Sequence, residues 1–295
     1  MSNPVFNNSP VFGDPRNPKV REGRQQLVDD PAWGSASAQQ YGTTGAQVMD
    51  VGTLQSMYNA PAATNVQMRR MTYDDVVIKT GGLLALLIVV AAVSYNLTPQ
   101  FGMALVWGGA IVGLVLGLVN AFKRNPSPPL IIAYAVAEGV FLGGISWVFE
   151  AFTIAGGSAQ PIILQAVLAT FGTFFAALLL FRSGKVRVTP KFTKWLIIAM
   201  SGYAVFSLAN FVMSFFVASD GFGPLRNGPW GIIIGLVAVG MAAASLIVDF
   251  DGIKRGVEGG VPAKYSWTAS FGLLVTLVWL YLELLRIFAM LAGRD

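Results

Sequence analysis

Carboxylates inside long apolar segments are the residues of this sequence best suited to chemistry. Asp249 and Asp251 close an apolar run that begins near Trp230, and Glu138 and Glu283 lie within two other such runs. An ionised Asp at the centre of a membrane helix costs roughly 2.5–3.5 kcal/mol, so residues of this kind mark candidate functional sites. Their oxygens suit hard cations such as Ca²⁺. The sequence therefore indicates carboxylate and cation chemistry within a membrane.

The residue types that are missing narrow this chemistry further. The 295 residues include no Cys and no His, which excludes disulfides, thiolate and imidazole metal ligands, and His general bases. An intramembrane protease with a Ser/His dyad is excluded with them. A retinal protein is excluded because the last apolar segment has no Lys for a Schiff base. We expect no enzyme and no cofactor, with Ca²⁺ as the bound or transported ion.

The spacing of the two aspartates assigns them different surroundings. On a helix they lie about 200° apart, so only one of them faces the bundle interior while the other reaches the membrane boundary. Glu138 lies at a comparable depth on a helix that starts at the same face. We therefore predict that Asp249 and Glu138 approach each other, share a proton and offer oxygens to a metal ion. The alternative for Glu138 is a protonated side chain that is hydrogen-bonded across helices.

The last apolar segment carries a further group of polar residues. Gly272, Thr276 and Glu283 share one helical face, at offsets of four and seven residues. Arg286 follows Glu283 by three residues, which also permits a local ion pair. Glu283 is thus either a second carboxylate on the ion path or one half of this pair.

Seven apolar segments must position these residues, and together they predict an all-α polytopic membrane protein. Charged residues make up 12% of the chain, against about 25% in soluble domains. Each segment approaches the ~20 residues needed to cross a bilayer. Glycines spaced four apart on several segments predict close helix packing, and the lack of an internal repeat disfavours a proton-coupled transporter built on inverted repeats. The predicted segments are 76–97, 102–122, 130–152, 161–181, 195–217, 230–250 and 267–291.

The residues before the first segment have a different composition. Residues 1–67 are rich in Asn, Pro, Gly, Ser and Gln without an apolar period, which predicts a disordered tail ahead of a membrane domain at 68–295. Scattered aromatic residues leave open a partner-binding motif in this tail. Residues 68–75 are predicted to lie as an amphipathic lead-in at the membrane surface, with Thr72 or Asp74 as the helix cap.

Basic residues predict the orientation of the bundle. They concentrate in alternate loops, whereas the opposite loops hold only Arg226. The positive-inside rule then places the amino terminus in the cytoplasm and the carboxyl terminus outside. This pattern accounts for the net charge of +5 without nucleic-acid binding. The basic loop residues are Arg69, Arg70, Lys123, Arg124, Arg182, Lys185, Arg187, Lys191, Lys254, Arg255 and Lys264.

Three short motifs resemble the Bax-inhibitor family, the transmembrane Bax-inhibitor-motif proteins. They are residues 247–256 (IVDFDGIKRG), residues 281–287 (YLELLRI) and residues 137–146 (AEGVFLGGIS), and the similarity extends over about 70–292. The long tail is similar to that of actinobacterial members, which implies the bacterial branch and a bacterial inner membrane. The resemblance also implies a seven-helix bundle with a central last helix.

The same resemblance implies a pH-modulated Ca²⁺ or cation leak with a pair of aspartates bridging the sixth and seventh helices. Asp249 matches the sixth-helix aspartate, whereas the seventh-helix position falls on Thr276. Thr276 is then expected to hydrogen-bond Asp249, with Glu138 or Glu283 supplying the second carboxylate. The alternative function is a regulator of protein quality control or stress survival that acts through a membrane protein partner.

Overall fold

Seven long α-helices make up the part of the chain that the structure describes. The computed structural model describes residues 20, 70–123, 125–155, 161–184, 188–217 and 223–293, and within them all seven helices are long and apolar enough to cross a membrane. The prediction of an all-α polytopic membrane protein is confirmed. Short 3₁₀ turns at Pro224–Arg226 and Ala263–Tyr265 precede the last two helices. The helices are α1 (Tyr73–Phe101), α2 (Met103–Phe122), α3 (Pro128–Ala155), α4 (Ile162–Arg182), α5 (Pro190–Met213), α6 (Gly228–Glu258) and α7 (Ser266–Ala292).

Helix α1 begins and ends at identifiable residues. The Thr72 hydroxyl accepts a hydrogen bond from the Asp75 N–H (3.1 Å), and the Asp75 carboxylate accepts one from the Thr72 N–H (3.0 Å). This capping box satisfies two amide donors that the first turn leaves unpaired, and it confirms Thr72 as the cap. The helix ends at Gly102, whose φ of +62° suits glycine. Gly102 alone connects α1 and α2, so the chain reverses direction there within one residue, and α3 then packs against both helices.

Glycines let α3 pack closely between α1 and α2. A Cβ at Gly109 of α2 would lie 2.6 Å from the backbone nitrogen of Phe141. A Cβ at Gly139, on the opposite side of α3, would lie 2.8 Å from the carbonyl oxygen of Leu87 in α1. Neither position has room for a side chain, so the backbones themselves are in contact. The packing role predicted from the glycine spacing is confirmed.

Helix α7 is the centre of the bundle. It packs against α1, α3, α4 and α6, whereas α5 contacts mainly α6. Leu274, Leu280 and Leu285 follow one another along α7 and have no exposed surface. The predicted central position of the last helix is confirmed. Most of the surface of α7 is consequently covered by the other helices.

The segment before α1 packs differently from the prediction. Met71 is fully buried, and its N–H donates to the carbonyl of Val261 (2.7 Å) in the connection between α6 and α7. Arg70 and Pro262 form an isolated antiparallel bridge beside it. Residues 70–72 are therefore part of the packed domain instead of an amphipathic lead-in on the membrane surface. The tail prediction lies outside the described residues except for Val20, which is buried.

Candidate functional site

Asp249 is a fully buried carboxyl group that joins α6 to α7. It has no exposed surface, and its Oδ2 accepts a hydrogen bond from the Thr276 hydroxyl at 2.7 Å. Its Oδ1 is also buried and has no hydrogen-bond partner. The contact expected between Asp249 and Thr276 is present. A buried acceptor without a partner is costly, which makes this site unusual within the packed interior.

The Thr276 hydroxyl has a second acceptor within reach. It also lies 3.2 Å from the carbonyl oxygen of Gly272, one turn earlier on α7. A hydroxyl has only one hydrogen to donate, and the Gly272 carbonyl lies inside α7, where the i→i−4 backbone bonds of the helix supply a donor. The shorter contact, to Asp249 Oδ2, is therefore the one that depends on the Thr276 hydrogen.

Asp251 lies at the boundary, on a different side of α6. It is partly exposed, and its carboxylate forms an ion pair with Arg255 (3.1 Å), one turn further along the helix. Asp249 is buried and Asp251 is partly exposed, as expected for two residues that lie about 200° apart around a helix. Asp251 is thus a surface carboxylate with a local partner, and it does not contact Asp249.

Glu138 does not form the predicted pair with Asp249. It lies against α2, where its Oε1 would be 2.9 Å from a Cβ at Gly113, and it interacts with Tyr134 one turn before it. The two carboxyls have similar depths, but α7 lies between their helices and α3 directs Glu138 to the glycine face of α2. Within the described ranges no cluster of three acidic residues could hold a metal ion. The structure therefore does not bring Asp249 and Glu138 together, as the predicted metal site requires.

Glu283 belongs to a charged cluster near the end of the bundle where α7 terminates. Arg286 donates to both of its carboxylate oxygens (3.2 and 3.1 Å), which is the predicted local pair. Arg226 lies 3.6 Å from Glu283 Oε1, and the Tyr203 hydroxyl donates to Glu283 while accepting from Arg226. Burial lowers the pKa of Arg226, and the Glu283 charge opposes that effect. We call these four residues, Tyr203, Arg226, Glu283 and Arg286, the Glu283 cluster.

Two members of the Glu283 cluster were not predicted from the sequence. Arg226 is the lone basic residue in the loops on its side of the membrane, and that isolation could have marked it as buried. It is 3% exposed. Tyr203 had no comparable signal, because a tyrosine within an apolar helix more often packs than bonds a carboxylate.

A large cavity connects the Glu283 cluster with Thr276. Its volume is about 1130 Å³, and it lies between α2 and α3 on one side and α5 on the other, with α7 as its floor. Arg226, Glu283 and Arg286 line one part of it, whereas Thr276 and Ser245 line another. Apolar side chains form most of the remaining wall. The cavity therefore reaches the hydroxyl that bonds Asp249 without reaching the carboxyl itself.

Six apolar helices around a central seventh, with buried carboxyl groups on α6 and α7, define this chain as a polytopic membrane protein with an ionisable interior. The chain belongs to the Bax inhibitor 1 like family, whose model matches residues 3–293. No curated protein matches it significantly.

Proposed function

We propose that this protein is a pH-modulated leak for Ca²⁺ and other cations, with Asp249 as its gate. The observation that carries the proposal is the state of Asp249: fully buried, attached to α7 by one hydrogen bond, and with Oδ1 unpartnered. Charged groups inside membrane segments commonly mark ion pathways. Membership of the Bax inhibitor 1 like family is consistent with this function.

The gate follows from the hydrogen bonds of Asp249. In its neutral form it bonds Thr276 and holds α6 against α7, which closes the bundle. Loss of the proton leaves a carboxylate with one donor and one unpartnered oxygen, in a position where described residues provide no ion pair. That charge is stabilised by water or a cation. Separation of α6 and α7 admits both, so flux rises as pH increases.

The path begins in the large cavity. The Glu283 cluster lies at one end of it and Thr276 at the other, so only the contact between α6 and α7 separates the cavity from Asp249. In this closed state Asp249 offers Ca²⁺ far fewer than the 6–8 oxygens it takes. Ca²⁺ is thus a transported ion that passes the site after opening. Following the basic loops, we place the cavity on the extracytoplasmic side of a bacterial inner membrane.

The test is Ca²⁺ flux into proteoliposomes measured from mildly acidic to mildly alkaline pH. Asp249→Asn keeps the shape of the side chain but removes its titration, so we expect flux that no longer depends on pH. Asp251→Asn is the matched control, because that carboxylate is partly exposed and paired with Arg255. It should retain the rise with pH. If both variants keep the wild-type profile, Asp249 is not the gate.

A different outcome would favour the other function. Absence of flux at every pH from folded wild-type protein would contradict a leak. A regulator of protein quality control or stress survival would then be the better interpretation, and it predicts a stable complex with a membrane protein partner.

A further inference from the structure

The Glu283 cluster contains more positive than negative charge. Arg226 and Arg286 share one carboxylate, and no other acidic residue lines the cavity beside them. Arg226 is 3% exposed, and its Nε is buried without a hydrogen-bond partner. A buried guanidinium that lacks full pairing is costly. An anion placed in the cavity would supply both the missing acceptor and the missing charge.

Neighbouring contacts hold Arg226 rigidly in this position. The Asn210 side chain of α5 accepts a hydrogen bond from the Leu225 N–H (2.9 Å). This bond attaches the 3₁₀ turn that contains Arg226 to α5. The guanidinium also lies 4.9 Å from the ring centre of Tyr203 and 5.7 Å from that of Phe206. Since Arg226 is fixed before any ligand arrives, little side-chain entropy is lost on binding.

Away from the Glu283 cluster the cavity suits hydrocarbon. Its walls on α2 and α5 are apolar, and Trp107, Ile111 and Leu114 both line it and face outward, so it opens sideways between the helices. Its volume of about 1130 Å³ exceeds the roughly 300–1,000 Å³ typical of small-molecule sites. The Ser207 hydroxyl also lines it, with its oxygen buried and unpartnered. A charged end and a long apolar body are the features of an amphiphile site.

We propose that this cavity binds an anionic amphiphile. Its carboxylate or phosphate lies against Arg226 and Arg286, and its hydrocarbon chain extends between α2, α3 and α5. Arginine is suited to both head groups because its planar guanidinium bonds two oxygens at once. The proposal depends on the charge and shape of the cavity and holds whether or not the protein conducts ions.

Trp279 allows this binding to be measured directly, because it lines the cavity. A variant that retains Trp279 as its only tryptophan is purified in detergent and titrated with a long-chain fatty acid brominated on the chain, which quenches nearby indole fluorescence. The uncharged methyl ester of the same acid is the ligand control. We expect saturable quenching by the acid and about tenfold or more weaker binding of the ester, from the loss of charge-assisted hydrogen bonds.

Protein variants locate the head group. Arg226→Gln and, separately, Arg286→Gln should each weaken binding of the acid by about tenfold. Arg255→Gln is the matched control, because Arg255 is exposed on the cytoplasmic-loop end of α6 and lies outside the cavity. It should bind like the parent. Using both arginine variants keeps the test decisive if one of them fails to fold.

A brominated phosphatidylglycerol arm distinguishes the source of the ligand. Tighter binding of the fatty acid identifies a free carboxylate ligand, and tighter binding of the phospholipid identifies a membrane lipid; both support an anionic amphiphile. Equal quenching by acid and ester, or unchanged binding in folded Arg226→Gln and Arg286→Gln, would overturn the proposal and leave a cavity filled only by neutral hydrocarbon.

Discussion

Replacing Thr276 by Val tests the contact that holds α6 to α7. Valine keeps the shape of threonine but provides no hydroxyl, so Asp249 loses its one hydrogen-bond partner at 2.7 Å. Leaving a buried polar group unsatisfied costs about 1–3 kcal/mol. This bond exists only while α6 and α7 are closed, so the cost falls on the closed state. A shift of that size changes the open population about 5–150-fold.

The assay is the initial rate of Ca²⁺ entry into proteoliposomes at mildly acidic pH, where the wild-type protein is expected to be closed. Flux through Thr276→Val should rise by a factor in that range, and Thr276→Ser should stay near wild type because it keeps the hydroxyl. Thr170→Val is the matched control, since the buried Thr170 hydroxyl bonds only the Ala166 carbonyl within α4 (2.7 Å). If a folded Thr276→Val protein shows the same flux as the wild type, the hydrogen bond between Thr276 and Asp249 does not hold the gate closed.

Three other predictions concern the fold. Gly139→Ala should destabilise the bundle by about 1–3 kcal/mol and lower its melting temperature in detergent. Gly108→Ala is the control and should leave the melting temperature unchanged, because a Cβ at Gly108 meets no atom within 4 Å. Equal effects of the two variants would contradict the close packing of α1 and α3. Met71→Ala should cost about 2–5 kcal/mol if burial of Met71 is structural, and an unchanged melting temperature would place it outside the core. Reporter fusions at Asp295 should indicate an extracytoplasmic end, and a cytoplasmic signal would reverse the predicted orientation.

Much of the fold was predictable because each helix is encoded locally. Hydropathy located all seven helices, and the angle between Asp249 and Asp251 separated the buried carboxyl from the exposed one. These two inferences need only the hydropathy and periodicity of single helices. The Thr276 contact was anticipated differently, from the resemblance to the Bax-inhibitor family, in which an aspartate of the seventh helix bridges to that of the sixth and its position falls on Thr276.

The pairing of Glu138 with Asp249 failed because depth does not fix which helices are neighbours. Glu138 and Asp249 lie at similar levels, yet α3 packs its glycines against α1 and α2 and turns Glu138 toward Gly113. The order of helices around α7 depends on the fit of all seven surfaces, which one sequence does not display. Arg226 was missed for a similar reason, since its isolation among the loops could mark it as buried but a single sequence does not display that its turn folds back onto α7.

The central position of α7 has a consequence for biosynthesis. Helices α1–α3 form one closely packed group, α4 and α6 pack together with α5 alongside α6, and only weak contacts join the two groups except through α7. The helix that unites them is the last of the seven to be synthesised. Six helices therefore reside in the membrane with the surfaces that will contact α7 covered by lipid until α7 displaces it. Assembly of this protein is a late event, and a chain interrupted before Ser266 would leave two loosely associated halves for membrane proteases to recognise.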